Sequence, residues 1–152
     1  MQNNDQFVGN GAAKTNDPPP NILHVDDMEW QTIRWPGETG KMLVHPTPED
    51  PTAPNAGLLK LAPGAHHPWH RHDFAQVWYI LEGEFVIGGK QCGPGTLLHH
   101  GDPHCEEALT TESGGLMLIV QYPGPNTGGR VVYEKRFNME KRIAMEDERV
   151  DL

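Results

Sequence analysis

Turns built from glycine and proline divide the middle of this chain into short apolar segments. The 152 residues include 17 glycines and 14 prolines, and both residue types are unfavourable inside helices. Stretches such as Pro63-Gly64, Gly88-Gly89 and Gly101-Asp102-Pro103 mark turns between the apolar segments. We therefore expect no long helix in this part of the chain.

The segments between these turns have the length and composition of β-strands. Gly88-Gly89 follows the segment at residues 84–87 and indicates a tight hairpin. The predicted strands are residues 29–35, 41–45, 57–62, 69–72, 76–81, 84–87, 96–99, 104–108, 115–122 and 130–133. Short strands at close intervals, with no helices between them, predict an all-β sandwich or barrel.

The two ends of the chain differ in composition from this middle part. Residues 1–21 are polar and end near a Pro18-Pro19-Pro20 run, which predicts a disordered or draped tail. Residues 22–136 are expected to form the barrel. Residues 137–152 contain a helix-forming stretch with Asn138 as a suitable N-cap, so we expect a short C-terminal helix followed by a tail.

The charge balance argues against two classes of partner. The formal net charge is −9 at pH 7, and no basic patch is visible that would bind nucleic acid or an anionic membrane. No apolar segment approaches the roughly 20 residues that a membrane-spanning helix needs. Two cysteines are too few for a disulfide scaffold, and the polar N-terminus lacks the apolar core of a signal peptide. We therefore expect a cytoplasmic protein with reduced thiols.

Histidines are concentrated in one part of the sequence. Seven of the nine lie between residues 66 and 104. The stretch His70-Arg71-His72 places two imidazoles on one face of a strand, because alternate side chains share a face. Such a pair suits two ligands of one metal ion, although isolated pairs of this kind are usually surface residues. Gln76 or His104, each near a turn, can supply a further ligand.

The spacing around this pair resembles the first motif of the cupin superfamily. Gly64 is followed by five residues, then by His70-Arg71-His72, three residues, Gln76, six residues and Gly83. In the family motif a glutamate occupies the position of Gln76. The resemblance implies a cupin-type jelly-roll barrel that holds one divalent transition metal ion per chain, with His70 and His72 as ligands.

A second segment, residues 95–104, is similar to the strand–turn–histidine motif of the same superfamily. It is slightly shorter than the family pattern, and Pro103 stands directly before His104. The resemblance implies that His104 is the third metal ligand. The shortened motif leaves His99 and His100 as competitors for that role.

Glutamine at position 76 allows two interpretations. As a fourth ligand, Gln76 would offer a neutral amide oxygen and leave the ion its full positive charge; alternatively, Gln76 hydrogen-bonds a ligand or a water molecule. Imidazole-rich sites suit Fe, Ni, Cu and Zn better than Mg or Ca, and we favour Fe, with Ni, Mn, Zn or Cu as alternatives. The second ring nitrogens of the ligands need acceptors, for which Asp73, Glu106 and Glu107 are candidates.

The sequence also predicts positions or roles for Trp78, His67 and Cys105. Trp78 shares the face of Gln76 on the predicted strand, so we expect it in the core or lining the substrate pocket. His67 precedes the motif near the barrel mouth and is either a surface histidine or a substrate-binding or proton-donating group. Cys105 follows His104 and points away from the site, so we expect a core thiol. The sequence assigns no residue to a catalytic step.

Two further stretches resemble a particular subgroup of cupins. Residues 81–85 and residues 35–43 resemble cupins such as the sensor half of certain anti-sigma factors and the acetylacetone-cleaving dioxygenases. This implies an Fe(II)-type dioxygenase that acts on a small oxygen-chelating substrate: a diketone, a hydroxy-ketone or a catechol-like molecule. The alternatives are a non-catalytic sensor that binds a small molecule or metal, and a metal-assisted lyase or isomerase. Because open sheet edges need covering, we also expect a homodimer.

Overall fold

The computed structural model describes residues 18–129, which contain twelve β-strands and one turn of 3₁₀-helix. The predicted all-β architecture is confirmed. No helix in this range is long and apolar enough to cross a membrane. The 3₁₀-helix spans Val25–Asp27, and the strands are β1 (Gln31–Thr32), β2 (Glu38–Val44), β3 (Asn55–Leu61), β4 (His66–His67), β5 (His70–His72), β6 (Ala75–Gly83), β7 (Phe85–Ile87), β8 (Lys90–Cys92), β9 (Leu97–His100), β10 (His104–Glu106), β11 (Leu109–Thr110) and β12 (Gly115–Tyr122).

The strands form three antiparallel sheets, and the two larger ones share one apolar core. The largest sheet has the order β1-β2-β3-β12-β6-β9, the second has the order β4-β11-β7-β8, and β10 pairs with β5. Apolar side chains from the two larger sheets belong to a single buried cluster. Its members include Leu59, Leu61, Trp78, Ile80, Met117 and Ile119 from the six-stranded sheet, and Phe85, Ile87, Cys92 and Leu109 from the four-stranded sheet.

Strand β12 shows how alternation builds this core. Met117, Ile119 and Gln121 are buried, whereas Leu118 is 39% exposed. Successive side chains of a strand point to opposite faces, so one face of β12 enters the core and the other lies at the surface. A shift by one residue would expose the whole buried set, which makes this register strongly specified. Gln121 marks the end of the strand where apolar core gives way to buried polar groups.

The local turn signals of the sequence are matched by the structure. Strands β7 and β8 pair across Gly88-Gly89, which confirms the predicted hairpin. Both glycines have positive φ, 56° and 78°, a conformation that glycine adopts without steric cost. The strand predicted over residues 29–35 is reduced to Gln31–Thr32. Strands His66–His67 and Leu109–Thr110 have no sequence signal, because they are only two residues long and are formed by pairing with distant strands.

Several predictions for the termini fall outside residues 18–129. Most of the tail predicted over residues 1–21 lies there. So do the strand predicted over residues 130–133 and the C-terminal helix and tail predicted over residues 137–152. These remain predictions.

Candidate metal centre

Strands β5 and β10 bring four polar side chains to one face. In their antiparallel register His104 lies opposite His72, and Glu106 lies opposite His70. The exposed fractions of His70, His72 and Glu106 are 2%, 3% and 1%, while Arg71 between the two histidines is exposed. The alternation expected for the histidine pair is thus repeated on β10. We call His70, His72, His104 and Glu106 the β5–β10 cluster.

The potential ligand atoms of this cluster converge. Nε2 of His70 lies 2.8 Å from Nε2 of His72. Oε2 of Glu106 is 3.4 Å from Nε2 of His70 and 3.2 Å from Nε2 of His72. Nε2 of His104 is 4.0 Å from the same oxygen. An ion with nitrogen and oxygen ligands at about 2.0–2.2 Å holds neighbouring ligands roughly 3.0–3.6 Å apart. The separations between Glu106 and the two β5 histidines lie in this range. The His70–His72 separation is slightly shorter and the His104–Glu106 separation slightly longer, and imidazole nitrogens with a carboxylate oxygen are the donor types that a transition metal ion binds.

Backbone carbonyls orient two of the histidines. Nδ1 of His70 donates to the carbonyl oxygen of Pro68 over 2.8 Å, and Nδ1 of His104 donates to that of Gly101 over 2.7 Å. A carbonyl oxygen only accepts, so each Nδ1 carries the proton and each Nε2 presents its lone pair to the cluster. Nε2 of His104 is buried and has no hydrogen-bond partner among residues 18–129. A buried nitrogen with a free lone pair is available to bind a metal ion.

A row of buried amides ends at Glu106. Nδ2 of Asn55 donates to Oε1 of Gln121 over 2.7 Å. Nε2 of Gln121 donates to Oε1 of Gln76 over 2.9 Å, and Nε2 of Gln76 donates to Oε2 of Glu106 over 2.6 Å. The first three residues are direct cross-strand partners on β3, β12 and β6. We call Asn55, Gln121 and Gln76 the amide row.

The chemistry of Glu106 sets the direction of this row. A carboxylate only accepts hydrogen bonds, so Gln76 must turn its amide nitrogen towards Glu106 and its oxygen towards Gln121. The amide oxygen is therefore engaged away from the cluster. This geometry does not match the interpretation of Gln76 as a fourth metal ligand through its amide oxygen. It matches the alternative interpretation, in which Gln76 hydrogen-bonds a neighbouring group.

His67 is buried between two carboxylates. Its Nδ1 lies 2.6 Å from Oε1 of Glu38, and its Nε2 lies 2.5 Å from Oε1 of Glu106. Burial lowers the pKa of His67, but the charges of Glu106 and Glu38 outweigh it and raise the pKa to about 9. His67 is thus no surface histidine, and its predicted contact with substrate stays a prediction.

The position of His67 bears on which atoms can hold an ion. Ligating atoms of His67, His70 and Glu106 all lie within 4.8 Å of one another, and this group supports a metal cofactor. Both nitrogens of His67, however, donate to carboxylates, and a doubly protonated imidazole has no lone pair left for a metal. In the β5–β10 cluster, Nε2 of His70 and Nε2 of His104 keep their lone pairs, because Nδ1 of each ring donates to a backbone carbonyl.

Glu106 itself is held in its charged form. Burial raises the pKa of this carboxyl, but the positive charge of His67 and the surrounding hydrogen bonds keep the pKa well below its usual range. A deprotonated carboxylate beside several imidazoles is a suitable ligand set for a divalent ion, because ligands must be deprotonated before they bind.

The remaining histidines and Cys105 separate into two groups. His66, His99 and Cys105 are exposed, so the expectation that Cys105 is a core thiol is wrong. His100 faces the site: its ring centroid is 4.9 Å from that of His104. Burial lowers the pKa of His100 to about 4, so this imidazole is neutral. Its Nδ1 is buried without a hydrogen-bond partner in the described part of the chain.

A small cavity with room for about 30 Å³ adjoins the cluster, enough for one or two water molecules. Trp78, as expected, is both buried and part of the cavity wall, and its Nε1 has no hydrogen-bond partner within residues 18–129. Trp35 forms another part of the wall, with ring centroids 4.2 Å from His67 and 4.9 Å from His70. The residues that line the cavity are Ile33, Arg34, Trp35, Glu38, Met42, Leu59, His67, His70, His72, Trp78, Glu106, Ile119 and Gln121.

Sequence reasoning missed two members of this site. Glu106 was expected at most to orient a histidine, yet it lies at the centre of the contacts. The signal for it was the spacing His104-Cys105-Glu106, which puts both polar side chains on one strand face as His70-Arg71-His72 does. Glu38 had no local signal, because its partner His67 is 29 residues away.

Comparison with known proteins gives the fold a name. No protein-family model and no curated protein matches the sequence. An RmlC-like cupin from Shewanella frigidimarina NCIMB 400 matches with a TM-score of 0.56 and 22% identity, over 71% of this chain and 95% of that one. The chain has the cupin fold, which confirms the expected jelly-roll barrel.

Two structural neighbours are enzymes by name. The polyketide cyclase RemF from Streptomyces resistomycificus matches with a TM-score of 0.56 and 20% identity, over 78% of this chain and 90% of that one. An acetylacetone dioxygenase from Acinetobacter johnsonii matches with a TM-score of 0.55 and 12% identity, over 81% of this chain and 89% of that one. At these identities the similarity shows the shared fold.

Proposed function

We propose that this protein is a metal-dependent dioxygenase that uses iron and acts on a small oxygen-chelating substrate such as a 1,3-diketone. The observation that carries the proposal is the convergence of buried imidazoles in the β5–β10 cluster, with Nε2 of His70 and His72 only 2.8 Å apart. Imidazole-rich sites suit iron, with nickel, copper, zinc and manganese as alternatives. The acetylacetone dioxygenase among the structural neighbours supports the substrate class.

The protein's own groups prepare the site for such chemistry. Iron held by these residues would supply Lewis acidity and redox chemistry with O₂. Pro68 and Gly101 hold His70 and His104 in the tautomer whose Nε2 can bind it.

The cavity walls determine what reaches the site. Trp35 and Trp78 are large apolar side chains that restrict water, and the unpartnered Nε1–H of Trp78 can donate to a substrate oxygen. Because the cavity holds only about 30 Å³, a diketone enters only if a wall residue moves. Trp35 is the candidate, since it follows the short strand β1 in a segment ending at the Pro36-Gly37 turn.

An oxygen-electrode assay tests this function. Untagged protein is loaded with Fe(II) under anaerobic conditions, and O₂ consumption is followed after acetylacetone is added. We expect consumption that matches substrate loss, and we expect His72→Ala to abolish it. His66→Ala is the matched control, because His66 is an exposed histidine outside the cluster. Tight binding of acetylacetone without turnover would instead support a sensor, and substrate loss without O₂ uptake would support a lyase or isomerase.

The outer face of the six-stranded sheet, rather than a sheet edge, offers a surface for the expected homodimer. One cross-strand row on this face is apolar, and three members are substantially exposed: Leu118 at 39%, Tyr79 at 38% and Leu97 at 59%. Leu58 extends the row on β3. Exposed apolar side chains that are contiguous mark interaction surfaces, unlike scattered single ones.

Charge complementarity favours a second copy as the occupant. Lys60 and Glu82 lie on either side of Leu116 in the adjacent row, and both line the same surface cavity. A two-fold axis parallel to β12 places Lys60 of one copy opposite Glu82 of the other and Leu118 opposite itself, as an isologous interface requires.

Light scattering coupled to size exclusion tests the dimer. We expect twice the chain mass of 16.9 kDa for the unaltered protein and for Val86→Lys, a change at an exposed position of the other sheet. Leu118→Lys should give the single-chain mass, because it buries a charge at the axis. A single-chain mass for the unaltered protein, or a dimer that survives Leu118→Lys, would contradict the proposed interface.

A further inference from the structure

The negative charge of the metal centre lies on a different strand from the one that the cupin motif suggests. The motif expects a glutamate at position 76 on β6, where this chain has Gln76. Glu106, on β10, instead places its carboxylate within 3.2 Å of His72 and 3.4 Å of His70. The carboxylate therefore enters the cluster from the strand that also carries His104.

Gln76 and Glu106 form a complementary pair. Nε2 of Gln76 donates to Oε2 of Glu106 over 2.6 Å, and both side chains are buried, with 0% and 1% exposed. A glutamate at position 76 beside an ionised Glu106 would place two buried acceptors at this distance without a proton between them. An amide at 76 and a carboxylate at 106 satisfy each other, because one donates where the other accepts.

The rest of the amide row shows why the pair is fixed in this orientation. Gln121 donates to Oε1 of Gln76, and Asn55 donates in turn to Gln121. Rotation of the Gln76 amide would therefore break two buried hydrogen bonds and leave their partners unsatisfied. The row thus fixes the position of the Glu106 carboxylate relative to the histidines.

We infer that Glu106 is the carboxylate ligand of this metal centre, together with His70, His72 and His104, and that Gln76 is a positioning residue that holds Glu106. The carboxylate thus lies on β10 instead of β6, where the cupin motif has it, and Gln76 on β6 is its hydrogen-bond donor. This inference rests on the proposed metal centre but not on the proposed reaction or substrate.

Metal affinity, rather than activity, tests the inference. Co²⁺ serves as the probe, because its affinity can be measured by competition with a chelating dye and its visible absorption reports coordination. The variants are Glu106→Gln, which keeps the size and loses the charge, and Glu107→Gln, the same change at the exposed neighbouring residue. We expect Glu106→Gln to raise the Kd for Co²⁺ by more than about 100-fold and Glu107→Gln to leave it within twofold, since even residues that only support a ligand contribute about 10–100-fold.

The exchanged pair provides the second arm. In Gln76→Glu/Glu106→Gln the carboxylate returns to the motif position and the amide moves to β10, so the donor and acceptor are still matched. We expect this double variant to bind Co²⁺ at least tenfold more tightly than Glu106→Gln alone. Gln76→Leu should weaken binding about tenfold and shift the Co²⁺ absorption bands, because the carboxylate is no longer held.

The outcomes separate the inference from the proposed function. If Glu106→Gln binds Co²⁺ as the unaltered protein does while His72→Ala does not, the metal centre stands and Glu106 is not its ligand. If the exchanged pair binds no more tightly than Glu106→Gln, the loss reflects damaged packing rather than a missing charge, and the inference is overturned. If the unaltered protein binds no Co²⁺, the proposed metal centre itself fails.

Discussion

Nε2 of His67 lies 2.5 Å from Oε1 of Glu106, and this contact joins the candidate metal centre to the wall of the barrel. The other ring nitrogen of His67 lies 2.6 Å from Glu38 on β2. Glu106 is therefore held from two sides, by His67 at Oε1 and by Gln76 at Oε2. Groups that hold a ligand in this way reduce the cost of ordering it when the metal binds.

The charge of His67 is directly measurable in metal-free protein. Its pKa of about 9 means that its stabilising contribution is complete below pH 6.5 and is lost as the pH rises to about 9, because the folded state binds a proton that the unfolded state has released. The change in the free energy of unfolding is on the order of 3 kcal/mol. Imidazole ¹⁵N shifts should show two protonated nitrogens at pH 7. Glu38→Gln should lower the pKa, and a neutral His67 ring at pH 7 would contradict this account.

The amide row should contribute to stability independently of metal. Gln121→Leu leaves the amide of Asn55 and the amide oxygen of Gln76 without their partner, so we expect a loss of about 2–4 kcal/mol in the free energy of unfolding. Urea denaturation of the metal-free protein measures it. Gln91→Leu makes the same change at an exposed strand position and should cost less than about 0.5 kcal/mol. Equal losses in the two variants would show that the row is not a stabilising unit.

Asp102 connects the turn before His104 to a distant loop. Its carboxylate accepts hydrogen bonds from the backbone N–H groups of Asn126 and Thr127 and from Oγ1 of Thr127, at 2.6–2.8 Å. Asp102→Ala removes these acceptors, so amide hydrogen exchange at Asn126 and Thr127 should become about tenfold faster or more. Exchange in β12, whose backbone pairs with β3 and β6, serves as the internal control. Unchanged exchange at both loop positions would contradict the anchoring role.

The size of Trp35 should limit the substrates that enter the cavity. Trp35→Ala removes a ring that packs against His67 and His70, so we expect a phenyl-substituted 1,3-diketone to bind at least tenfold more tightly than it does to the unaltered protein. Acetylacetone should gain much less, because it needs less space. Calorimetric titration of the iron-loaded protein under anaerobic conditions measures both. An equal gain for the two diketones would argue against Trp35 as the size-limiting wall.

Local sequence signals predicted the architecture of the barrel well. Gly88-Gly89 and the apolar run over residues 115–122 are local features of the sequence, and each indicates a turn or a strand without help from the rest of the fold. Strands His66–His67 and Leu109–Thr110 escaped prediction because pairing between distant segments forms them. Propensity over two residues carries too little information to show such pairs.

The site was predictable only in part. The spacing of His70 and His72 indicates two imidazoles on one face, and the structure places them so. The partners of Glu106 come from three different strands, and His67 reaches it across 39 residues of sequence, so no local pattern could reveal their contacts. The motif also directed attention to position 76, where the residue present is a hydrogen-bond donor.

Elemental analysis of untagged protein tests the central claim most directly. The samples are the unaltered protein, His70→Ala/His72→Ala, and His66→Ala as the control with an exposed histidine removed. The account predicts about one equivalent of a transition metal, iron above all, in the unaltered protein and the control, and almost none in the double variant. No metal in the unaltered protein after reconstitution, or an equal content in the double variant, would contradict a metal centre at the β5–β10 cluster.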